Sequence, residues 1–215
     1  MTRTGRSPRR RLAGAERRSE LLDAAEAAFM AAPYDQVSLL SIARAAGSSD
    51  ALLVRYFETK ANLYLTVWER RLEELFSQQA SVDADVGPGM SAQERLLRGL
   101  HAYFDFVKTR PRAWAQQFLA PDGEPAGAAE LRRTWRHRYA ELIRERGGLP
   151  QDAMVDTALA GFIGLNEALC FEWVLHDCPD DQRETIVSMS AAALAALMAE
   201  ARKTSIPPAP GSRQE

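Results

Sequence analysis

Residue types that build catalytic, metal and disulfide sites are scarce in this chain. The 215 residues include two cysteines, Cys170 and Cys178, and three histidines, His101, His137 and His176. The cysteines form no CxxC pair, so we expect reduced thiols rather than a disulfide or a metal site. The histidines fall on three separate predicted helices, which is typical of surface or half-buried side chains. The sequence therefore predicts no catalytic residue, no metal site and no cofactor.

Motifs of common enzyme classes and of membrane insertion are also absent. The sequence has no Gly-x-Ser-x-Gly, P-loop, HExxH or GxGxxG pattern. The N-terminus is rich in arginine but lacks the apolar segment of a secretory signal. The longest apolar run, Ala158–Leu165, is far shorter than the roughly 20 residues that span a bilayer. We therefore predict a soluble, cytoplasmic protein that is not an enzyme.

The charge is unevenly distributed along an otherwise ordinary globular composition. Hydrophobic residues make up 46% and charged residues 26% of the chain, and the net charge is −2. Residues 1–60 contain ten Lys/Arg and seven Asp/Glu, whereas residues 61–215 contain 17 and 22. A basic end on an acidic body is the asymmetry that a DNA-binding segment produces.

The stretch from Val37 to Lys60 has the pattern of two short helices around a tight turn. Ser38 is a candidate N-cap, and the apolar residues behind it recur at spacings of three and four. Gly47 can adopt positive φ after the first helix. Ser49 or Asp50 can then cap a second helix. The pattern predicts a helix-turn-helix, whose second helix can enter the major groove of DNA.

The same stretch resembles the N-terminal signature of the tetracycline-repressor (TetR/AcrR) family of regulators. The resemblance covers roughly Glu16 to Val67. It is carried by Ile42, Ala43, Ala46, Gly47, Ser49, Leu53, Tyr56, Phe57, Lys60 and Leu63. It implies an all-helical homodimer that represses transcription, binds a double-stranded DNA operator and responds to a small-molecule effector.

The predicted second helix has few side chains that read bases. Ser48–Val54 contains no Lys, Arg, Asn or Gln, which make the strong bidentate contacts to bases. Tyr56 and Lys60 match family positions for phosphate contacts. The predicted DNA-binding residues are Ser38, Ser41, Arg44, Ser48, Ser49, Asp50, Ala51, Leu52, Arg55, Tyr56, Thr59 and Lys60. Either specificity comes from apolar contacts, Arg55, a basic arm and DNA shape, or DNA binding has been weakened or lost.

The rest of the chain predicts an all-α protein of about nine helices. We expect a disordered basic arm at 1–14, a helix-turn-helix domain at 15–62, a ligand-binding and dimerisation domain at 63–203, and a disordered Pro-rich tail at 204–215. Helix one should run from about Ala15 to Ala31. Helix eight, about Asp152–Leu175, is apolar on nearly every face, which predicts burial on all sides. Small residues along helix nine allow close packing, so the last two helices are predicted to form the dimer interface.

The helices of the body also predict an apolar ligand cavity. Aromatic side chains and one amide come within plausible reach of one cavity: Tyr103, Phe104, Trp114, Phe118, Trp135, Tyr139, Phe162 and Asn166. Asn166 and Glu167 need partners in a buried helix. They could meet them in the dimer interface, in the cavity or in water. If they face the cavity, the ligand has a donor or cationic end on an apolar body.

A rival interpretation is a helical carrier or enzyme for apolar molecules with a vestigial head. The donor-poor second helix favours it, whereas the basic arm and the absent catalytic motifs favour the regulator. The sequence does not specify the operator, the effector, the regulated genes or whether ligand releases or promotes DNA binding.

Overall fold

Nine α-helices build the part of the chain that the computed structural model describes, which is residues 8–81, 89–119 and 123–204. This part contains no β-strand, and a short 3₁₀ turn lies at Tyr34–Gln36. The all-α prediction is confirmed. The helices are α1 (Pro8–Ala31), α2 (Leu39–Ala45), α3 (Asp50–Phe57), α4 (Lys60–Ser81), α5 (Ala92–Thr109), α6 (Pro111–Leu119), α7 (Ala128–Gly147), α8 (Ala153–Leu175) and α9 (Asp180–Thr204).

The structure differs from the sequence prediction at the start of α1. The helix begins at Pro8 instead of Ala15, so half of the predicted disordered arm is helical. Proline suits a first helical turn, where its missing N–H has no partner to lose, and the arginines, leucine and alanine that follow are good helix formers. The first seven residues of the predicted arm lie outside the described residues. So does nearly all of the predicted tail.

The chain divides into two compact units whose boundaries differ from the predicted domains. The first unit contains the described residues up to Glu74 together with Arg110–Arg132, and the second contains Leu75–Thr109 and the residues from Arg133 onward. Helices α4 and α7 therefore contribute to both units. The first unit combines the helix-turn-helix with α6 and the start of α7, which the sequence prediction assigned to the body.

The first unit is built on one apolar core shared by α1 to α4. Leu21, Ile42, Leu53 and Leu63 are fully buried in it. Ion pairs on its surface also join α1 to α4: the Arg70 guanidinium contacts Asp23 at 2.6 Å and also contacts Glu26. Such partly exposed pairs add little stability each, so burial of the core holds these helices together.

Long-range polar contacts explain why Arg110–Arg132 belongs to this first unit. The Tyr64 hydroxyl donates to Glu124 Oε1 at 2.6 Å, and Arg132 Nη2 lies 2.7 Å from Glu124 Oε2. Burial, and then the Glu124 contact, raises the pKa of Tyr64 far above its usual value, so its hydroxyl stays a donor. Ala128, at the start of α7, is buried in the same apolar core.

The second unit is organised around α8, which packs against α9. Leu159, Phe162, Cys170 and Trp173 are buried along it. The Trp173 ring meets Phe104 of α5 edge-to-face at 5.2 Å between centroids. Both cysteines are buried and form no disulfide with each other. Burial raises the pKa of the Cys170 thiol, so it stays protonated and unreactive.

One side of α8 is exposed in the single chain, in contrast to the predicted burial on all sides. Gly161, Gly164, Leu165 and Ala168 lie on this side. Helix α8 thus has two apolar faces: one is buried in the core, and the other is exposed and consists mostly of small residues. Helices α8 and α9 are long and apolar enough to cross a bilayer by length and composition, a weak criterion that core helices of soluble proteins also meet.

Candidate functional site

A capping box begins α2, and one glycine forms the turn between α2 and α3. Ser38 and Ser41 form a capping box, in which Ser41 N–H donates to Ser38 Oγ at 3.0 Å and Ser38 N–H donates to Ser41 Oγ at 3.3 Å. Gly47 has φ of +57°, a value that a side chain would strain. Arg17 of α1 donates to the Gly47 carbonyl at 3.0 Å and holds the turn against α1. The predicted helix-turn-helix is therefore present.

Helix α3 has one face in the core and one face in solvent. Leu53 is fully buried and Phe57 is 5% exposed, whereas Leu52 and Tyr56 are half-buried against the same core. The exposed face is formed by residues at helical spacing: Asp50, Ala51, Val54, Arg55 and, at the C-cap, Glu58. This face is the surface that α3 can present to a DNA groove.

Two predicted DNA-binding residues point into the protein rather than to this surface. The Ser48 hydroxyl oxygen is buried and has no hydrogen-bond partner among the described residues. Leu52 packs partly against the core. Leu52 precedes the buried Leu53 on the core side of α3, whereas Ser48 lies in the turn before α3. The structure therefore offers neither Ser48 Oγ nor most of Leu52 for a DNA contact.

The polar residues around α3 keep positions compatible with phosphate contacts, with two qualifications. Arg44, Ser49 and Arg55 are exposed. Ser41 Oγ already donates to the Ser38 carbonyl at 2.7 Å, so its proton is committed within the capping box. Thr59 Oγ1 accepts from Asn62 N–H at 3.0 Å and so caps the start of α4.

Lys60 and Tyr56 both lie against neighbouring side chains. The Lys60 ammonium sits 4.2 Å from the centre of the Tyr34 ring, a cation–π contact, and burial lowers its pKa. Tyr56 is half-buried, and its hydroxyl lies next to Gly14 of α1, where even an added methyl group would be in contact at 3.8 Å. The ring of Tyr34 and the first helix thus help to position these two predicted phosphate contacts.

Ser48 provides a direct test of its buried hydroxyl. Ser48→Val should stabilise the first unit by about 1 kcal/mol, because it removes an unpaired buried hydroxyl. Ser48→Thr has the same shape as the valine variant but keeps the hydroxyl. Chemical denaturation should give a larger free energy of unfolding for Ser48→Val than for Ser48→Thr. Equal stabilities would show that the hydroxyl has a partner.

Val54 lies on the exposed face of α3 but is not among the predicted DNA-binding residues. Its side chain is 45% exposed, and it follows Ala51 by three residues on the same face of α3. The helical period contained this information, since a residue next to the buried Leu53 and three after Ala51 must point outward.

The predicted ligand-binding residues are divided between the two units. Trp114 and Phe118 belong to the first unit, where their rings lie 5.0 Å apart. The other six belong to the second unit, and several touch: Tyr103 contacts Phe104 at 5.6 Å, and Trp135 contacts Tyr139 at 6.1 Å between ring centroids. Within the second unit the rings thus form two groups: Tyr103, Phe104 and Trp173 on α5 and α8, and Phe76, Trp135 and Tyr139 on α4 and α7.

A polar cluster lies beside these aromatic rings. Arg136 Nε and Nη2 donate to the two Glu167 carboxylate oxygens, both at 2.8 Å. This pairing is the main cause of a raised Arg136 pKa. The Tyr103 hydroxyl lies close to Cys170 and Glu167, and burial raises its pKa well above the usual value. Asn166 Oδ1 accepts from Ser190 Oγ of α9 at 2.9 Å. Asn166 and Glu167 therefore have protein partners, which removes the basis for a donor or cationic ligand end.

An open groove of about 440 Å³ runs along α7 on the surface of the second unit. Its lining mixes apolar and charged side chains: Phe76, Thr134, His137, Arg138, Glu141, Leu142 and Glu145. The Arg138 guanidinium lies 4.6 Å from the Phe76 ring centre and 4.0 Å from that of Trp135. None of the predicted ligand-binding residues lines this groove. Two of them, Trp135 and Tyr139, contact Phe76, which does line it.

Comparison with known proteins places these features in one family. Residues 21–67 match the model of bacterial regulatory proteins of the tetR family. The HTH-type transcriptional activator FasR of Mycolicibacterium smegmatis is 33% identical over 180 residues, which cover 82% of this chain and 80% of FasR.

Solved structures show the same fold. A tetR-family transcriptional regulator from Streptomyces coelicolor is 26% identical, with a TM-score of 0.68 over 88% of this chain and 83% of that one. The regulator FadR from Bacillus subtilis, solved with stearoyl-CoA, is 20% identical, with a TM-score of 0.60 over 83% of this chain and 96% of FadR.

Proposed function

Because the chain belongs to the tetR family of bacterial regulatory proteins, we propose that it binds a DNA operator through α2 and α3 and changes its affinity when an apolar effector binds the second unit. It is a transcriptional regulator with a DNA-binding helix-turn-helix. The observation that carries the operator proposal is the exposed face of α3, which follows the turn at Gly47. The proposal includes a cytoplasmic location and the absence of catalytic activity.

Binding to the operator combines base contacts from α3 with phosphate contacts around it. Arg55 supplies hydrogen-bond donors on the exposed face of α3. Arg44, Ser49, Tyr56, Thr59 and Lys60 surround that face and contact the backbone, which fixes register but carries little sequence information.

A footprint on genomic DNA fragments tests this proposal. Discrete protected sites are expected, and a binding curve without any preferred site would favour the rival carrier or enzyme with a vestigial head. Lys60→Ala should weaken binding to all sites alike and lower the slope of log K against log[salt] by about one, because one phosphate contact is lost. An unchanged slope would remove Lys60 from the phosphate contacts.

The direction of regulation is the finer part of the proposal. The resemblance to the tetracycline-repressor family predicts a repressor, whereas FasR, the relative at 33% identity, is named an activator. A promoter–reporter assay with the protected site separates the two: repression lowers reporter output when the protein is supplied, and activation raises it.

A homodimer through α8 and α9 is part of the same proposal. Exposed small and apolar residues line one side of α9, as they do on α8: Met189, Ala192, Ala195 and Ala196. Covering both faces with the same faces of a second copy forms a four-helix interface and buries apolar surface. The two α3 helices of the dimer would then address two half-sites, and light scattering at micromolar concentration should give twice the chain mass.

The proposed effector is a long-chain acyl compound. The second unit supplies an apolar aromatic cluster beside the Tyr103 hydroxyl and the Arg136–Glu167 pair, so an apolar body with a hydrogen-bond acceptor matches its chemistry. The FadR structure contains stearoyl-CoA, which supports this class.

Stearoyl-CoA and coenzyme A alone form a matched pair for testing the effector. We expect stearoyl-CoA to raise the melting temperature and to change affinity for the footprinted site, and coenzyme A to do neither, because the acyl chain supplies the apolar contacts. Tyr103→Phe should weaken the effect by removing the donor. Equal effects of both compounds would contradict an acyl ligand.

A further inference from the structure

The outward face of α3 carries mostly apolar and acidic groups. Ala51 and Val54 lie three residues apart on it, and Arg55 lies beside them. Leu53, the neighbour of Val54, is fully buried, whereas Val54 keeps 45% of its surface exposed. The exposed valine thus sits near the middle of the helix that faces the major groove.

The two acidic groups on this face cannot replace the missing base-reading donors. Asp50 Oδ1 accepts from Ala51 N–H at 2.8 Å, and Glu58 Oε2 accepts from Asn62 Nδ2 at 3.4 Å. Ionised carboxylates only accept hydrogen bonds, so they oppose the N7 and O6 acceptors of guanine and the O4 acceptor of thymine. Donors on the exposed face come from Arg55 alone among the residues Asp50–Phe57.

The apolar pair has one chemical match in the major groove of unmodified DNA. Thymine alone presents a methyl group there, and small apolar side chains contact it. Ala51 is short enough to let the helix approach closely, and the two methyl groups of Val54 reach beyond it. A contact with a thymine methyl removes apolar surface on both sides from water.

We propose that Val54, with Ala51, reads thymine methyl groups and that this contact supplies most of the sequence preference of α3. The inference rests on the proposed operator binding. Arg55 adds a guanine contact next to the methyl contact, so each half-site places thymine beside guanine. Val54 is then a specificity-determining residue.

Uracil in place of thymine tests this proposal, because it removes only the methyl group. The purified full chain first selects duplexes from a random library, and the tightest duplex is then remade with deoxyuridine at each thymine in turn. One or two positions in each half-site should lose about fourfold in affinity per methyl. In Val54→Ala the loss at one of these positions should shrink, and a double-mutant cycle measures that coupling. Val54→Thr keeps one methyl group, so it should retain part of the affinity loss on deoxyuridine substitution.

Leu119→Ala serves as the matched control. Leu119 is a large apolar side chain, 57% exposed, at the end of α6, and its loss should leave every deoxyuridine effect unchanged. Selected duplexes that bind equally well with uracil throughout would overturn the inference while leaving operator binding intact. The same deoxyuridine losses in Val54→Ala and in the unmodified chain would overturn the role of Val54. A library without any enriched sequence would overturn the proposed function and the inference with it.

Discussion

Replacing Trp173 with alanine is expected to destabilise the second unit by about 3–5 kcal/mol, because a large buried ring leaves a cavity. Trp173 is 1% exposed and packs edge-to-face on Phe104. Its indole N–H also donates to the Pro179 carbonyl at 2.9 Å, which joins the end of α8 to the start of α9. Amide hydrogen exchange in α8 and α9 measures the loss helix by helix.

Trp173→Phe separates the ring from the hydrogen bond. Phenylalanine keeps an aromatic contact with Phe104 but leaves the Pro179 carbonyl without this donor, so the loss should be roughly half that of the alanine variant. Exchange rates in α2 and α3 should stay unchanged in both variants. A loss below about 1 kcal/mol for Trp173→Ala would contradict the burial of this ring.

Leu53→Ala is expected to destabilise the first unit by about 2–5 kcal/mol and to weaken DNA binding without removing any DNA-facing atom. Leu53 is fully buried and packs in the apolar cluster that contains Ile42 and Phe57. This packing holds α3 in place under its exposed face. Exchange in α2 and α3 reports the stability, and titration with the footprinted duplex reports the affinity.

The adjacent Val54→Ala is the control for Leu53→Ala. Because Val54 is exposed, its truncation should change stability by less than about 0.5 kcal/mol while still lowering operator affinity. The two neighbours should thus separate folding from recognition. Comparable losses of stability in both variants would show that α3 is rotated relative to the position described above.

Local sequence signals predicted most of the helix-turn-helix. Ser38 is the N-cap of α2, Thr59 caps α4, and Gly47 has the positive φ that the turn requires. These features depend on residues within four positions of each other, so a single stretch of sequence contains the whole interaction. The same locality explains why the family resemblance is visible in these residues. The match over residues 21–67 confirms that resemblance.

The candidate site was predicted less completely. Ser48 and Leu52 were placed on the DNA side, and Val54 was omitted, because matching positions to a family pattern does not say which way each side chain points. The packing of α3 on Leu21 and Ile42 decides that direction. Six of the eight predicted ligand-binding residues lie in the second unit, whereas Trp114 and Phe118 fall in the first.

For the stretch Val37–Lys60, the sequence by itself determined the two helices, the turn and the shortage of base-reading donors. Only the tertiary structure decided which polar groups have partners. Asn166 meets Ser190 across 24 positions, Glu167 meets Arg136 across 31, and Tyr64 meets Glu124 across 60. Helical periodicity gives the face on which a residue lies, but the partner on a distant helix is fixed by how the apolar faces pack together. The physical reason is that apolar burial sets the helix positions, and buried polar groups must then find partners within them.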